Sequence, residues 1–450
     1  MHSRRRFIKI GAASVGSLAL RNFGLMPAMA QSSASGYQAL VCVFLYGGND
    51  SNNMIIPENQ YTAYQTIRGT ANLALPTSAL TLVTDKSSNG YYFHGKMPQL
   101  ASLFTAGNLA VAANVGPLTA LTKKSNLTNL PSNLFSHADQ QQEWQTTDPT
   151  QLSHPTYGWG GRAAAVVQSQ NTSGFPTLMS VSGNDIFGVG PDEQLELNPG
   201  GNLNLSGFDY TLTQARSVAI HNLLTTDSGL SLYGAANGVM SQSIANAKLL
   251  TNALTGVTLN TVFTAASGSL GQQLKQVALI MKANQAGTGL GMSKQIFFCS
   301  LGGFDTHTGE LEAHNNLYPQ LDAALSTFWA ALNEIGLQNN VVTFTESEFS
   351  RTMQPTTTDG SDHAWGSHHL VMGGPVKGQK IYNSFPTFAL NGPSDFDGRG
   401  RWIPTAAVDQ YGESLIRWFG ITDPTNIARV FPNLASFDTS TNPNPLTFFS

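Results

Sequence analysis

Residues 39–51, ALVCVFLYGGNDS, join a continuous apolar run to a polar turn, and Asp50 is the one charged residue of this stretch. An apolar run of this length without polar alternation is typical of a strand buried on both faces, as in parallel sheets. Two glycines and Asn49 then favour a tight turn. The stretch therefore predicts a buried parallel strand with a carboxylate in the loop at its carboxyl end.

The same pattern recurs along the chain and alternates with helical patterns. Such alternation predicts an α/β fold with a mostly parallel central sheet flanked by helices, in which ligands bind beyond the carboxyl ends of the strands. The further predicted strands are 109–115, 177–181, 295–301 and 340–345, and the predicted helices are 96–105, 137–145, 211–224, 270–286 and 312–335.

Residues 182–268 differ from the rest, since a Gly-, Asn- and Ser-rich segment precedes a helix of small residues. We interpret this stretch as an insertion or cap over the sheet of one domain that spans residues 31–450.

The amino terminus predicts an exported protein. Residues 3–9 read SRRRFIK, residues 8–20 are mildly apolar, and Ala28-Met29-Ala30 forms a small-x-small cleavage pattern. This order is typical of a twin-arginine signal peptide, so we expect folded export by the Tat translocase to the periplasm or beyond. The apolar run is too short to span about 30 Å of hydrocarbon, so no stable membrane anchor is expected.

Charged residues make up 11% of the chain and the formal net charge is -4. Because this charge is small and negative, nucleic acid and anionic membranes are not expected partners. Cys42 and Cys299 each lie in an apolar run, and they would form a disulfide only if their strands were neighbours. A chain that folds in the reducing cytoplasm before export favours two buried thiols instead.

Acidic and histidine residues gather where predicted strands end. A single aspartate at such a position is often only a helix or turn cap, but a set at three strand ends favours a divalent metal site for Zn²⁺, Mn²⁺, Mg²⁺ or Ca²⁺. Since adjacent strand residues point to opposite faces, only one of the two neighbouring histidines is expected to be a ligand. The candidate ligands are Asp50, Asp305, His307, Glu348, Asp362, His363 and either His368 or His369.

Ser136 is the candidate nucleophile because it precedes a predicted helix, whose free N–H groups can stabilise an anionic oxygen. A simple capping serine is the alternative interpretation, and Ser51, directly after Asp50, is a rival nucleophile. Arg351 and Arg162 are candidates to bind a substrate anion, and surface ion pairs are the alternative for both.

Six ordered stretches make the chain, from Leu40 to about Phe437, similar to the domain-of-unknown-function 1501 family of Tat-exported bacterial proteins. That family resembles, more remotely, the alkaline phosphatase and sulfatase superfamily. The stretches are LVCVFLYGGNDSNNMIIP, FSHADQQQEWQT, GGFDTHTGE, TESEFSRT, GSDHAWGSHHLVMGGPVKGQKIY and RGRWIPTAAVDQYGESLIRWFG.

The resemblance implies an α/β sandwich, two divalent ions and a serine or threonine nucleophile at a helix amino terminus. Two departures from the superfamily pattern are that Glu348 occupies the strand exit and that Asp305 and His307 are closely spaced. By position, one ion would be bound by Asp50, Asp362 and His363, the other by Asp305, His307 and His368 or His369, with Ser136 as the nucleophile.

We therefore predict a metal-dependent hydrolase that acts on a phosphate or sulfate ester, small or glycan-linked, with Arg351 holding the substrate's oxygens. The alternative is an envelope binding or assembly protein that keeps the fold without the activity.

Overall fold

The predicted first strand is observed as β1 (Gln38–Tyr46), in the middle of the sheet. The computed structural model describes residues 36–69, 72–150, 156–192, 194–199, 215–226, 231–437 and 443–449. The signal peptide predicted over residues 1–30 lies outside the described residues. None of the described helices is both long enough and apolar enough to cross a membrane.

The described strands form two sheets. The strands after β1 are β2 (Ile55–Pro57), β3 (Leu80–Thr84), β4 (Gly90–His94), β5 (Leu109–Gly116), β6 (Leu178–Ser180), β7 (Leu195–Glu196), β8 (Lys294–Gly302), β9 (Val341–Glu346), β10 (Ser367–Met372), β11 (Lys380–Tyr382) and β12 (Ala406–Ala407). Nine of the described strands form one sheet, in the order β11-β5-β10-β9-β1-β8-β6-β7 with β12 beside β5. A separate three-stranded sheet has the order β2-β4-β3.

The large sheet is mixed and mostly parallel, which confirms the predicted fold class. Strand β1 pairs in parallel with both β8 and β9. Strand β10 is antiparallel to both β9 and β5, so its amino end lies at the edge where β1, β8 and β9 have their carboxyl ends. The loop before β10 therefore approaches the loops that follow β1, β8 and β9.

Helices cover both faces of the sheet, and each of the five predicted helices is found with shifted ends. The described helices are α1 (Ser51–Met54), α2 (Tyr61–Arg68), α3 (Pro98–Thr105), α4 (His137–Thr146), α5 (Trp159–Val167), α6 (Ala215–Thr225), α7 (Ser231–Leu254), α8 (Gly268–Gln285), α9 (Glu310–Glu334), α10 (Val408–Trp418) and α11 (Pro424–Val430). The described part of the 182–268 stretch contains α6 and α7, and its strand β7 adds to the edge of the sheet.

The two faces of the sheet bury separate apolar cores. Alternate residues of β1 enter each core, with Val43 on the side of α3, α8 and α9 and Cys42 on the side of α5, α10 and α11. In the register of β1 with β8, Cys299 lies opposite Val43, so it belongs to the first core. The two cysteines thus face opposite sides of the sheet, and both are free thiols, as predicted.

Candidate active site

Three histidines converge on one carboxylate oxygen beyond the carboxyl end of β8. We call His137, Asp305, His307 and His363 the open cluster, because the Asp305 side chain is 49% exposed. The Nε2 atoms of His137 and His363 each lie 3.5 Å from Asp305 Oδ1, and that of His307 lies 3.2 Å from the same oxygen. The Nε2 atoms of His307 and His363 are 2.9 Å apart.

The other ring nitrogen of each histidine contacts an oxygen. A carbonyl or carboxylate oxygen only accepts a hydrogen bond, so each Nδ1 carries a proton and Nε2 is the ring nitrogen that faces Asp305. This outer contact is typical of histidines that bind metals. The oxygens are Glu348 Oε1, 2.9 Å from His137, Asp362 Oδ1, 3.2 Å from His307, and the Phe135 carbonyl, 2.7 Å from His363.

The geometry of the open cluster fits a divalent cation. Two Nε2 lone pairs facing each other at 2.9 Å repel unless a cation or a proton lies between them. The ligand atoms of His137, Asp305 and His363 all lie within 4.8 Å of one another. Ligands of a tetrahedral zinc ion are about 3.3 Å apart, and a mixed imidazole and carboxylate set suits Zn²⁺ or Mn²⁺.

Three separate parts of the chain bring the open cluster together. Asp305 and His307 follow β8, His137 is the first residue of α4, and His363 forms an isolated bridge with Arg351 in the loop between β9 and β10. The sequence prediction missed His137 because it assigned this stretch to the nucleophile Ser136, although Asp139 follows His137 at the same two-residue spacing that separates Asp305 from His307.

Arg351 positions Asp305 and is not available to a substrate. Its side chain is 0% exposed, and its NH1 donates to Asp305 Oδ1 at 3.0 Å and to the Gly47 carbonyl at 3.3 Å. Its Nε and NH2 donate to the Ser361 hydroxyl and carbonyl oxygens. Burial would raise the pKa of Asp305, but the Arg351 guanidinium holds that pKa below its usual value.

Glu348 and Asp362, both predicted ligands, lie behind the histidines instead of beside Asp305. Glu348 is buried and accepts hydrogen bonds from the Gly47 backbone N–H at 2.8 Å and from Gln141 at 3.0 Å, besides its contact with His137. That contact raises the pKa of His137 above its ordinary value. Asp362 contacts His307 with one oxygen and Arg399 with the other, and although burial would raise its pKa, Arg399 lowers it.

Asp50 belongs to a second group, which we call the buried cluster: Asp50, Arg68, Glu310 and His314. Arg68 contacts both oxygens of Asp50, at 2.5 and 2.8 Å, and Glu310 Oε1 at 3.3 Å. Ligand atoms of Asp50, Glu310 and His314 also lie within 4.8 Å of one another. The structure therefore does not place Asp50 with Asp362 and His363, because a buried arginine already neutralises it.

Burial sets the protonation of the buried cluster. It raises the pKa of Glu310 to about 8, with a further contribution from the nearby Asp50 charge, while Arg68 keeps the pKa of Asp50 low. Burial also lowers the pKa of His314 to about 3. The cluster thus contains one ionised carboxylate paired with one guanidinium, a protonated carboxyl group and a neutral imidazole near pH 7.

The structure does not bring His368 or His369 to the carboxylates of either cluster. Strand β10 places both inside the sheet, where burial lowers the pKa of each ring to about 3. His368 Nδ1 accepts the Asn114 backbone N–H at 2.9 Å, and the His369 ring packs 4.6 Å from that of Trp144. Both are neutral core histidines.

The serine candidates differ in access. The Ser136 hydroxyl donates to Asp139 Oδ2 at 2.5 Å at the start of α4, directly before His137 of the open cluster. Ser51 is fully buried, with its hydroxyl 2.8 Å from that of Ser350. Arg162 donates to backbone carbonyl groups and lies in neither cluster.

Comparison with known proteins finds no match among curated proteins. The C-terminal periplasmic domain of EcEptC from Escherichia coli is 12% identical, covers 92% of each chain and has a TM-score of 0.36. PsFucS1 sulfatase from Pseudoalteromonas sp. is 9% identical and covers 100% of this chain and 80% of its own, with a TM-score of 0.36. The lipoteichoic acid synthase LtaP from Listeria monocytogenes is 9% identical and covers 83% and 75%, with a TM-score of 0.31.

The sequence match is of a different kind, because it is made to a family model and extends over most of the chain. It begins just before β1 and ends in the loop between β11 and β12, and it includes both clusters. The model, described as protein of unknown function (DUF1501), matches residues 37–395, and this chain belongs to that family.

Proposed function

We propose that this protein is a metal-dependent hydrolase of phosphate or sulfate esters, with its reaction centre at the open cluster. The observation that carries the proposal is the convergence of three imidazole Nε2 atoms on Asp305 Oδ1, each ring being held by an oxygen on its other nitrogen. Asp305 and His307 have nearly half-exposed side chains, which makes this arrangement accessible to a substrate, whereas the Asp50 and Arg68 side chains of the buried cluster are fully buried.

His137, Asp305 and His363 would hold the ion, with His307 beside them. A divalent ion supplies Lewis-acid polarisation of an ester oxygen and compensates charge that develops during displacement. The chain's own groups prepare the ligands: Arg351 keeps Asp305 ionised, and Glu348 fixes the orientation of the His137 ring.

Ser136 is the nucleophile in this proposal, because it adjoins His137 and its hydroxyl already donates to a carboxylate. Its Oγ would bond to phosphorus or sulfur while the bond to the leaving alcohol oxygen breaks, and Asp139 would accept the hydroxyl proton. Water would then hydrolyse the covalent serine ester. Substitution by alanine, Ser136→Ala, separates this route from direct attack by water, which would survive the change.

The signal sequence supports a periplasmic or secreted site of action after Tat-dependent export. Small-molecule or glycan-linked anionic esters are accessible there, and a folded metal centre could be assembled before export. We propose no nucleic-acid partner and no stable membrane anchor, in keeping with the low charge of the chain and the short apolar run.

The test is metal content and turnover of the full chain. We expect bound Zn²⁺ or Mn²⁺, turnover of 4-nitrophenyl phosphate or sulfate, loss of turnover with a chelator and recovery on reloading. His363→Asn should lose metal, whereas the matched control His221→Asn, at an exposed position of α6, should not. A metal-free chain that stays inert after reloading would reject the proposal and favour a non-catalytic envelope binding or assembly protein.

A further inference from the structure

Every nitrogen of the Arg351 guanidinium group donates to an oxygen of the protein interior. A residue other than Arg351 would therefore have to bind the substrate anion. Arg399 lies at the open side instead. Its side chain is 37% exposed, and its NH2 contacts Asp362 Oδ2 at 2.6 Å. The other oxygen of Asp362 contacts His307, so Arg399 is two contacts away from the Nε2 atoms of the open cluster.

The loop that carries Arg399 is fixed by its backbone. The Arg399 carbonyl accepts the Gln354 N–H at 3.1 Å, and its N–H donates to Asp397 Oδ1 at 3.2 Å. Gly398 and Gly400, on either side, have φ angles of 90° and 71°, which glycine adopts without strain. The backbone of Arg399 is therefore held in place, while its long side chain can change its hydrogen-bond partner.

Arg399 adds a positive charge at the open side of a site that is otherwise balanced. Asp139, Asp305, Glu348 and Asp362 are four carboxylates, and Arg351 and Arg399 are two guanidinium groups. A divalent ion would offset the remaining two negative charges. Because Coulomb energy is proportional to the ligand's charge, a dianion gains from Arg399 about twice what a monoanion gains at the same position.

We propose that Arg399 exchanges Asp362 for the non-bridging oxygens of the substrate and thereby selects phosphate monoesters, which are dianions, over sulfate esters, which are monoanions. This inference rests on the proposed function of the same site. The planar guanidinium fork matches two oxygens of a tetrahedral anion, and it has to replace an existing carboxylate contact, which a dianion does more readily.

The test compares Arg399→Ala, Arg399→Lys and Arg417→Ala in the zinc-loaded full chain. Arg417 is the matched control, since it is an exposed arginine in an ion pair with Glu413 on α10. For Arg399→Ala, kcat/KM should fall roughly 10- to 100-fold for 4-nitrophenyl phosphate and about 3- to 10-fold for 4-nitrophenyl sulfate. The lysine variant should be intermediate, and Arg417→Ala should match the wild type.

Zinc content and the affinity for inorganic phosphate, measured by calorimetry, complete the experiment. Arg399→Ala should keep its zinc and bind phosphate more weakly. An unchanged phosphate affinity, or an equal fall in kcat/KM for both esters, would overturn the inference while wild-type zinc and turnover stand. A wild-type chain without zinc or turnover would overturn the proposed function itself.

Discussion

The open cluster and the buried cluster look alike by distance alone, since each brings carboxylate and imidazole atoms within 4.8 Å of one another. They differ in the source of their positive charge. Arg68 contacts both Asp50 oxygens in the buried cluster, whereas Arg351 contacts one oxygen of Asp305 in the open cluster and leaves three imidazole nitrogens facing it. Proximity of ligand types therefore identifies a candidate. What distinguishes a candidate metal site from an ion pair is that imidazole nitrogens face the carboxylate and that no arginine contacts both of its oxygens.

The buried cluster is connected to the open cluster by hydrogen bonds through Ser361 and Arg351. The Ser361 hydroxyl donates to Glu310 and accepts from Arg351 Nε, and the Ser361 carbonyl accepts from Arg351 NH2. Arg351 in turn contacts Asp305. A hydrogen-bonded connection thus joins the two clusters, so the buried one helps to fix the loop from which Asp362 and His363 project.

The largest effect is expected at the centre of the open cluster. Asp305→Asn should remove bound metal and lower turnover roughly 10³-fold or more, because the ion supplies several kcal/mol of transition-state stabilisation. The fold should remain, since Arg351 keeps its carbonyl and hydroxyl acceptors. Metal analysis and kcat of Asp305→Asn test this prediction, and Asp50→Asn is the matching variant of the buried cluster. Equal metal loss in both variants would erase the distinction between the clusters.

The next effect is on stability and belongs to the buried cluster. Arg68→Met should lower the free energy of unfolding by about 3–5 kcal/mol, because it leaves the Asp50 charge buried without its partner. Metal content per folded chain should not change. Urea unfolding measures the loss, and the double variant Asp50→Asn with Arg68→Met should recover much of it. A stable Arg68→Met protein that has lost its metal would assign the buried cluster to the metal site.

The protonation of Glu310 has a smaller expected effect on the free energy of unfolding, and it concerns the buried cluster alone. Burial raises the folded pKa of Glu310 to about 8, so the folded state holds this proton more tightly than the unfolded state does. The resulting stability is present below the unfolded pKa, near 4.5, and is lost as pH rises through about 8. Between pH 6 and 8 we expect a decline of at most about 1.4 kcal/mol per pH unit from this group.

Urea unfolding of the wild type and of Glu310→Gln across that range isolates this contribution. The wild type should lose stability with rising pH, and the variant should lack that part of the decline. Parallel curves for the two proteins would show that Glu310 is ionised in the folded state, and the buried cluster would then carry a net negative charge that needs a further cation.

The sequence predicted five of the described strands, β1, β5, β6, β8 and β9, and the edge of the sheet at which the candidate residues meet, because apolar runs and the polar residues after them are local signals. It did not separate Asp50 from the open cluster, since that depends on Arg68, whose pairing is a tertiary contact. His137 was missed for a similar reason, because its contact with Glu348 joins distant parts of the chain. Sequence spacing cannot show which side of a loop a side chain occupies.

The smallest effect on metal content and turnover is expected at His368, where the sequence pattern suggested a ligand and the structure shows a core residue. His368→Leu should leave metal content and kcat unchanged, because its ring packs 4.3 Å from that of Phe385 and lies in neither cluster. It should lower the free energy of unfolding by about 1–3 kcal/mol, since the buried Asn114 N–H loses its acceptor. His368→Asn, whose side-chain oxygen can take the place of Nδ1, should lose less than His368→Leu. Metal loss in both variants at unchanged stability would instead place His368 in the metal site and extend the open cluster into the sheet.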